Sequence, residues 1–335
     1  MQKNKILTNI SFIIQGEVYP HINLQIAEIR KHFPQAAVIV SYCGECGVKI
    51  EGADAVVSSQ DPGFFYYSRR PGENLNNVNR QIVNTLAGLR ACKTEYAFKL
   101  RSDFFITGND FLDYFNKFPL AENDYKVFDH KILACNYFTR NPHDNRPYPF
   151  HISDLAFFGK TKDLINLFDI PLMTEEEAYF SFNTPISNKY VPEQYIFINC
   201  LKKNGKKAEL ELYNQATPEN IEDTERYFAS NFVLLSFEQF NLQCTKKTFD
   251  MAIHPNSFIT CYTHYDWLKL YKKWVNPAVE LPERDEERDK LNKFYKTYRK
   301  YRFFANIIAL PFRTKEKRKK VRNGILEYFL ERKYK

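Results

Sequence analysis

The sequence predicts an α/β protein organised around a mostly parallel sheet, and three observations support this class. Strand-like and helix-like patterns alternate through the first hundred residues, as they do when helices connect parallel strands. Apolar residues make up 44% of the 335-residue chain, which is enough to bury a sizeable core. A helical, strongly charged pattern begins near residue 285. We therefore expect a sheet flanked by helices, followed by a helical appendage.

The first hundred residues contain six predicted elements, which are separated by turn residues. They are strand 10–14, helix 22–32, strand 36–41, strand 55–58, helix 78–91 and strand 96–100. The first helix is assigned because Ile22, Ile26 and Ile29 recur at the spacing of one helical face, and Phe33-Pro34 ends it. The strands are short, nearly continuous apolar runs, which is typical of strands buried on both faces.

The pattern changes after residue 103, where strands no longer alternate regularly with helices. The further elements expected before the tail are two β-rich pieces within 126–138, a strand over 154–159, and helices over 162–168 and 193–203. This part of the sheet is therefore expected to be assembled out of sequence order and to be partly antiparallel.

Prolines and mixed charges between 275 and 285 indicate a connector, which divides the chain into a body (1–280) and a basic, amphipathic helical tail (281–335). Residues 288–335 hold 17 Lys and Arg against 4 Asp and Glu, a net of +13, whereas the other 287 residues hold 31 against 36, a net of −5. The mildly acidic body argues against nucleic acid as a partner. Basic residues interleaved with aromatic and aliphatic ones are typical of a tail that binds an anionic membrane surface. The alternative is a solvated helix whose aromatic residues pack on the body.

The expected location is the cytoplasm. No run of the sequence approaches the ~20 apolar residues that cross a bilayer, and the first residues lead into no cleavage site of the signal-peptide type. Seven cysteines occur without a pairing framework, as in proteins with reduced thiols, and the single Cys43-x-x-Cys46 lacks the second pair that zinc requires. We expect a cytoplasmic protein that its tail holds at the inner face of the cytoplasmic membrane.

The sharpest local feature is Asp103, which follows closely after the strand at 96–100. Ligands of open α/β sheets bind at the carboxyl ends of the strands, and a carboxylate there can hold Mg²⁺ or Mn²⁺ that bridges a diphosphate. Arg101 could pair with a phosphate or with a neighbouring carboxylate. Gln15 and Gly16 end the first strand in the same way, and a glycine allows a ligand to approach the backbone. A capped strand end with a surface ion pair is the other interpretation of Asp103.

Two later segments carry polar residues suited to binding a second substrate, here called the acceptor, through a hydroxyl group. His151 and Asp154 precede an apolar run and could contact an acceptor hydroxyl, although His151 could also be a satisfied loop histidine. Glu193 lies in the first turn of a predicted helix, where it could act as a general base; a favourable helix start explains it as well. His254 and His264 are less specific candidates for a metal ligand.

The sequence lacks several familiar enzyme motifs. GxGxxG, GxxxxGK[ST], GxSxG and HExxH do not occur, which argues against dinucleotide-binding enzymes, P-loop ATPases, α/β-hydrolases and zinc peptidases.

Several blocks of the sequence, in order, resemble the WavE lipopolysaccharide synthesis family. The blocks are 8–16, 77–89, 96–103 (Tyr-Ala-Phe-Lys-Leu-Arg-Ser-Asp), 137–141, 151–154 with 157–159, and 192–195. The resemblance covers roughly residues 8–270. It implies a GT-A-like glycosyltransferase, in which a nucleotide-sugar-binding α/β domain is merged with an acceptor-binding part.

The resemblance also implies roles for the donor-side residues. Asp103 stands where GT-A enzymes place the last residue of an Asp-x-Asp motif, but Arg101 occupies the first position. One carboxylate would then hold the divalent cation, and Arg101 would supply part of the positive charge that a diphosphate needs. The remaining donor-binding residues implied are Gln15, Gly16, Asn79 and Arg80.

On the acceptor side, the resemblance implies His151 for binding and either Glu193 or Asp154 as the general base. Glu193 is preferred because the start of its helix would aim it at the ligand edge of the sheet.

The expected function is transfer of a sugar from a nucleotide-sugar donor to a lipopolysaccharide, capsule or other surface-glycan acceptor, either free or lipid-linked. One alternative is a nucleotidyltransferase, for which Gln15-Gly16-Glu17 is a poor version of the Gly-rich, basic triphosphate loop. The other is a non-catalytic glycan-binding protein, which would tolerate the loss of Asp103.

Overall fold

The computed structural model describes residues 2–68, 75–145, 147–181, 183–245 and 258–334. The strands are β1 (Ile10–Gln15), β2 (Ala37–Cys43), β3 (Ala55–Ser59), β4 (Phe65–Tyr66), β5 (Leu75–Asn76), β6 (Tyr96–Arg101), β7 (Phe104–Ile106), β8 (Ile132–Cys135), β9 (Ala156–Lys160), β10 (Phe232–Leu235) and β11 (Leu242–Cys244). The helices are α1 (Gln2–Leu7), α2 (Ile22–His32), α3 (Val78–Ala91), α4 (Thr161–Phe168), α5 (Glu175–Ala178), α6 (Pro192–Lys203), α7 (Pro218–Asn231), α8 (His264–Trp274), α9 (Glu286–Ala309) and α10 (Lys315–Tyr334). A 3-10 helix spans Asp110–Tyr114.

Seven strands form one sheet in the order β10-β8-β9-β6-β1-β2-β3. β1 pairs in parallel with β2 and β6, β2 with β3, and β8 with β10. β9 lies antiparallel between β6 and β8, so it alone of these seven strands runs in the opposite direction. The predicted mixed, mostly parallel sheet is confirmed, and its second half is assembled out of sequence order, as expected.

The direction of β9 brings two distant parts of the chain to one edge of the sheet. The parallel strands β1, β2 and β6 end at this edge, and because β9 is antiparallel, it begins there. The backbone N–H of Arg101, at the end of β6, donates to the carbonyl of Leu155, just before β9, at 3.1 Å. The segment 151–155 therefore lies beside the strand ends at which ligands of open α/β sheets bind.

Helix α3 packs closely on the strands that it connects. A Cβ at Gly88 would lie 2.4 Å from Ile13 Cγ2 on β1 and 3.1 Å from Ser41 Cβ on β2. A larger residue would push the helix away from the sheet, so glycine is what permits this approach. The first turns of α3 are thereby held beside the carboxyl ends of β1 and β2.

The expectation of two β-rich pieces within 126–138 is wrong, because only β8 forms a strand there. Side chains bind the backbone amides before β8 in place of a neighbouring strand. Asn231 Oδ1 accepts from the N–H groups of 127 and 128, and the Asp163 carboxylate accepts from those of 129 and 130. Several further elements are not among the predicted ones: α1, β4, β5, β7, α5, α7, β10, β11 and α8. Most are short, and β10, with four residues, follows α7 with no turn between them.

α9 and α10 form a helical hairpin with a small core of its own. Phe294, Tyr298, Ala305, Leu326 and Leu330 are buried together in a cluster that is separate from the main core. The two helices are separated around Pro311, because α9 ends at Ala309 and α10 begins at Lys315. Across the described residues, no helix combines the length and the apolar character that a bilayer crossing requires.

Polar contacts attach the start of α9 to the body. Thr263 Oγ1 donates to Asp285 Oδ2 at 2.7 Å, and Arg288 Nη2 donates to Asp266 Oδ2 at 2.7 Å. Arg288 also donates to the carbonyls of Ile259 and Cys261. The hairpin is therefore fixed to the body at its base, while its own core holds the two helices together.

Candidate active site

A cavity of about 660 Å³ opens over the carboxyl ends of β1, β2 and β6. Its wall combines the end of β1, one face of α3 and the residues that follow β6. The lining includes Gln15, Gly16, Asn77, Arg80, Gln81, Asn84, Arg101, Ser102 and Asp103, together with the aromatic residues Tyr19, Tyr42 and Tyr67. A cavity of this volume accommodates a ligand of small-molecule size, with polar groups to orient it.

The turn after β1 depends on the glycine at position 16. Gly16 has a φ of +124°, which L-residues rarely adopt, and a Cβ there would lie 3.1 Å from Ser102 Oγ. Its N–H donates to the Ser41 carbonyl at 3.1 Å, and the N–H of Ser102 donates to the Gln15 carbonyl at 3.0 Å. The end of β1 is thus tied to both neighbouring strands at the floor of the cavity.

One face of α3 borders the cavity, since Asn77, Arg80, Gln81 and Asn84 are spaced as neighbours on a helix. Arg80 is held in a bidentate pair: Nε donates to Asp61 Oδ1 at 2.7 Å, and Nη2 donates to Oδ2 at 2.6 Å. This geometry keeps the planar guanidinium at the cavity wall.

Asn79 does not line the cavity. Its amide group bonds to the backbone of Met173 in both directions, with Nδ2 donating to the carbonyl at 3.0 Å and Oδ1 accepting from the N–H at 2.8 Å. Among the donor-side candidates, the structure therefore places Arg80 at the cavity and Asn79 in the packing of α3 against the segment before α5.

Arg101 lies at the centre of a buried cluster of charges. Its Nε donates to Asp103 Oδ1 at 3.2 Å, and its Nη2 donates to Oδ2 at 2.7 Å. Its Nη1 also lies 3.9 Å from Asp154 Oδ1. The side chain of Asp103 is 2% exposed and that of Asp154 is 4% exposed, whereas that of Arg101 is 25% exposed. Arg101 thus joins the strand-end carboxylate to the carboxylate that precedes β9.

Glu193, in the first turn of α6, completes the cluster. Burial raises the pKa of Glu193 to about 7, and the charge of Asp154 adds to the rise. His151 Nε2 lies 3.5 Å from Glu193 Oε2. Burial and the nearby charge of Arg140 lower the pKa of His151 to about 3. The imidazole that lies against Glu193 is therefore neutral. Neither His151 nor Glu193 is among the residues that line the cavity, although Pro192, next to Glu193, is. His151 is buried, and its contact is with the candidate base.

Two buried basic side chains, Lys99 and Arg140, lie next to this cluster. Lys99, on β6, is fully buried, and its Nζ donates to the backbone carbonyl of Asp154. Burial lowers the pKa of Lys99 to about 8, against the opposing effect of Asp154. Arg140 is also buried; its N–H donates to the His151 carbonyl at 3.1 Å, and its charge lowers the pKa of Glu193. Together they offset part of the charge of the three carboxylates.

Tyr67 is a site residue that the sequence analysis does not identify. It lines the cavity, and burial raises its pKa well above the usual range, with further contributions from the charges of Glu193 and Asp154. Tyr67 directly follows β4, which pairs with β5 in an antiparallel arrangement. Ser187 donates two hydrogen bonds to the Tyr67 carbonyl, one from its N–H and one from its hydroxyl. The aromatic run 64–67 is the one signal in the sequence that could have drawn attention to it.

The groups around Asp103 do not fit a divalent cation held by the protein. Both carboxylate oxygens of Asp103 accept hydrogen bonds from Arg101. Over the part of the chain that the structure describes, no group of three or more His, Cys, Asp or Glu side chains could hold a metal ion. Mg²⁺ and related cations require several oxygen ligands. In this arrangement the carboxylate of Asp103 instead accepts both hydrogen bonds from Arg101.

Of the two late histidines, His264 lies away from the site. His264 is half-buried, its ring packs against Phe118 and Trp267, and its Nδ1 lies 2.7 Å from the Leu234 carbonyl; burial lowers its pKa to about 4. His254 lies outside the described residues.

One of the comparisons with known proteins finds a match. A family model described as WavE lipopolysaccharide synthesis matches residues 10–302, a range that includes the whole cavity lining and the charged cluster. Among curated proteins, no significant match is found. The chain belongs to the WavE lipopolysaccharide synthesis family, so its role is in lipopolysaccharide biosynthesis. The resemblance noted from the sequence blocks is confirmed.

Proposed function

We propose that this member of the WavE lipopolysaccharide synthesis family is a glycosyltransferase that moves a sugar from a nucleotide-sugar donor to a surface-glycan acceptor such as lipopolysaccharide or capsule. The observation that carries the proposal is the meeting, at one sheet edge, of a polar cavity with a cluster of three carboxylates around Arg101, two of them buried and one largely so. The cavity suits a donor, and the cluster suits the chemistry at its reacting end.

The cavity lining supports a nucleotide as the part of the donor that the protein binds. Tyr19 and Tyr42 offer aromatic faces against which a base can stack. Gly16 allows the backbone to approach the ligand closely. Arg80 and Arg101 both lie at the cavity wall, where their bidentate pairs with Asp61 and Asp103 hold the guanidiniums in fixed orientations. Arginines fixed in this way suit the recognition of phosphate groups. We therefore assign the diphosphate to the space between these two arginines.

Transfer requires that an acceptor hydroxyl lose a proton as it attacks the anomeric carbon. Glu193 is the base that we assign, since a carboxylate with a pKa of about 7 is partly ionised at neutral pH and still basic enough to take the proton. Asp154 holds Arg101 from the other side and keeps Glu193 basic through its charge. A single base of this kind fits a direct displacement, which inverts the anomeric configuration.

The bond that breaks joins the anomeric carbon to the terminal phosphate oxygen of the donor. The electron pair leaves with the nucleoside diphosphate, while the acceptor oxygen forms the new bond and its proton passes to Glu193. Negative charge develops on the departing phosphate, and Arg101 lies at the cavity wall where it can stabilise that charge. Fixed groups of this kind are effective because they need no reorganisation during the reaction.

The direct test is to incubate the full chain with a panel of nucleotide sugars and a lipopolysaccharide acceptor, and to measure release of nucleoside diphosphate. We expect acceptor-dependent release that is lost in Asp103→Asn. A nucleotidyltransferase would instead release pyrophosphate from a nucleoside triphosphate and a sugar phosphate. A glycan-binding protein would bind the acceptor with no release, and would do so equally well after Asp103→Asn.

A further inference from the structure

The end of the α9–α10 hairpin exposes a dense group of large apolar side chains, here called the apolar tip. It consists of Phe303, Phe304, Ile307, Ile308, Leu310 and Phe312, which are between 39% and 64% exposed. In the same turns, Ala305 and Ala309 are buried. The hairpin core therefore takes the small residues of this stretch and leaves the large ones in solvent.

Such an arrangement is unusual for a surface that meets only water. Single exposed apolar residues are common, but a contiguous apolar patch marks a surface that binds a partner or a membrane. Six large apolar residues within ten positions form one group, and Phe303 and Ile307 lie one helical turn apart. Burying this group would recover hydrophobic free energy that the hairpin does not gain by itself.

Basic residues surround the apolar tip on both sides. This basic collar comprises residues 299–302, with three Lys and Arg, and residues 313–320, with six Lys and Arg and one Glu. All nine basic residues are exposed. A second copy of the chain would bring the same positive charge to the tip and would be repelled, whereas a lipid surface with anionic headgroups complements both the collar and the tip.

We propose that the hairpin docks on an anionic lipid bilayer, with the apolar tip inserted at the boundary between headgroups and acyl chains and the basic collar on the headgroups. Since no described helix is long and apolar enough to cross a membrane, the tip rests in the interface. The polar contacts at the base of α9 then hold the body at the membrane surface, where lipid-linked acceptors are found. Bilayer binding needs neither donor nor acceptor, so it is measured separately from transfer.

The test uses the full chain and vesicles of phosphatidylethanolamine with 30 mol% (about one third) phosphatidylglycerol, chosen as an anionic surface. The tip variant carries Phe303→Ser, Ile307→Ser, Ile308→Ser and Leu310→Ser, none of which is in the hairpin core. The collar variant carries Lys317→Gln, Lys319→Gln and Lys320→Gln. We expect the tip variant to bind at least about tenfold more weakly, and each charge removed from the collar to weaken binding about fivefold.

Matched controls on the body separate these effects from a general loss of apolar surface or charge. Leu24→Ser with Leu172→Ser removes exposed apolar residues, and Lys31→Gln with Lys49→Gln and Lys93→Gln removes exposed charges. We expect both control variants to bind like the unmodified chain. Vesicles of phosphatidylcholine alone should bind the unmodified chain far more weakly than the anionic vesicles.

The depth of the tip is measured with a tryptophan at its centre. Phe303→Trp should show a blue-shifted emission on the anionic vesicles and quenching by brominated acyl chains, and Leu24→Trp should show neither. Unchanged vesicle binding in both the tip and the collar variants would overturn the proposal. It would also be overturned if sedimentation showed that the tip variant converts a dimer to a monomer while vesicle binding stays the same, since the tip would then join two copies of the chain.

Discussion

Arg101 and Asp103 form a bidentate pair at the carboxyl end of β6, with Nε to Oδ1 at 3.2 Å and Nη2 to Oδ2 at 2.7 Å. They are two residues apart, with Ser102 between them, so the turn that ends the strand brings both side chains to the same side. The carboxylate is buried and the guanidinium is partly exposed to the cavity. The pair therefore presents a positively charged group, held in one orientation, where a donor phosphate would lie.

Loss of the Asp103 charge should disable transfer. Asp103→Asn removes one of the two carboxylates that orient Arg101, and we expect turnover to fall about 10²–10³-fold, the cost typical of losing a fixed charge-stabilising group. Arg101→Lys should fall by a similar factor, because an ammonium cannot form the bidentate pair. The measurement is nucleoside diphosphate release, with melting followed in parallel. The control is Asp54→Asn, which alters an Arg–Asp pair remote from the cavity and should keep normal turnover. Near-normal turnover in Asp103→Asn would show that Asp103 has no role in transfer.

Glu193→Gln should separate catalysis from donor binding. If Glu193 takes the acceptor proton, turnover should fall about 10²–10⁴-fold, while the dissociation constant for the donor changes little. In the unmodified enzyme, kcat/KM should rise as the pH increases through about 7, where the carboxyl loses its proton. Steady-state kinetics over pH 5–9 (roughly the range that brackets the shift) provide the measurement. If Asp154→Asn gives this pattern and Glu193→Gln does not, the two roles are reversed.

The same pKa shift predicts a pH-dependent stability. The pKa of Glu193 rises from 4.5 to about 7 on folding, so the folded state holds this proton more tightly than the unfolded state. Its contribution to the free energy of unfolding is full below pH 4.5 and is lost as the pH rises through about 7.

Glu193→Gln, which stays neutral, should therefore become more stable than the unmodified chain above pH 7, by on the order of 2–3 kcal/mol. Urea denaturation at pH 5 and pH 8 measures the difference, with Glu51→Gln as an exposed control. A difference of the same size at both pH values would show that Glu193 is ionised throughout.

The Asp103 geometry predicts that the protein alone binds Mn²⁺ poorly. Arg101 occupies both carboxylate oxygens, and a lone carboxylate offers too few ligands. Titration of Mn²⁺ followed by electron paramagnetic resonance should show no saturable site in the micromolar range. Saturable micromolar binding that disappears in Asp103→Asn would mean instead that Arg101 releases the carboxylate to a metal.

Gly16→Ala should damage the floor of the cavity. The φ of +124° is unfavourable for alanine, and its Cβ would lie 3.1 Å from Ser102 Oγ, so we expect a loss of roughly 1–3 kcal/mol in the free energy of unfolding and weaker donor binding. Gly47→Ala is the matched control, because Gly47 also lines the cavity but a Cβ added there would meet no atom within 4 Å. Equal effects of the two substitutions would show that the turn after β1 has no special conformation.

Local sequence patterns determined six elements of the first hundred residues, namely β1, α2, β2, β3, α3 and β6, but not the short α1, β4 and β5. Helices α2 and α3 have the predicted bounds. The signals that define them are apolar residues at helical spacing and a clear end, which is Phe33-Pro34 for α2 and the start of the next strand for α3, and neighbouring residues carry all of these signals. The strand ends at Gln15-Gly16 and Arg101-Ser-Asp103 were identifiable for the same reason, and so was the helical start that carries Glu193. These features need no knowledge of how distant segments meet.

Only the tertiary structure decided which of these residues act together. Asn79 and Arg80 are adjacent in the chain, yet one is used in packing and the other lines the cavity. The antiparallel insertion of β9 brings Asp154 within 3.9 Å of Arg101, and the loop after β4 places Tyr67 near both Asp154 and Glu193. Strand direction and loop path depend on burial of the whole sheet, which is a property of contacts between residues far apart in sequence. The sequence by itself therefore determined the charged groups available to this protein, and the packing of the sheet decided which of them share one site.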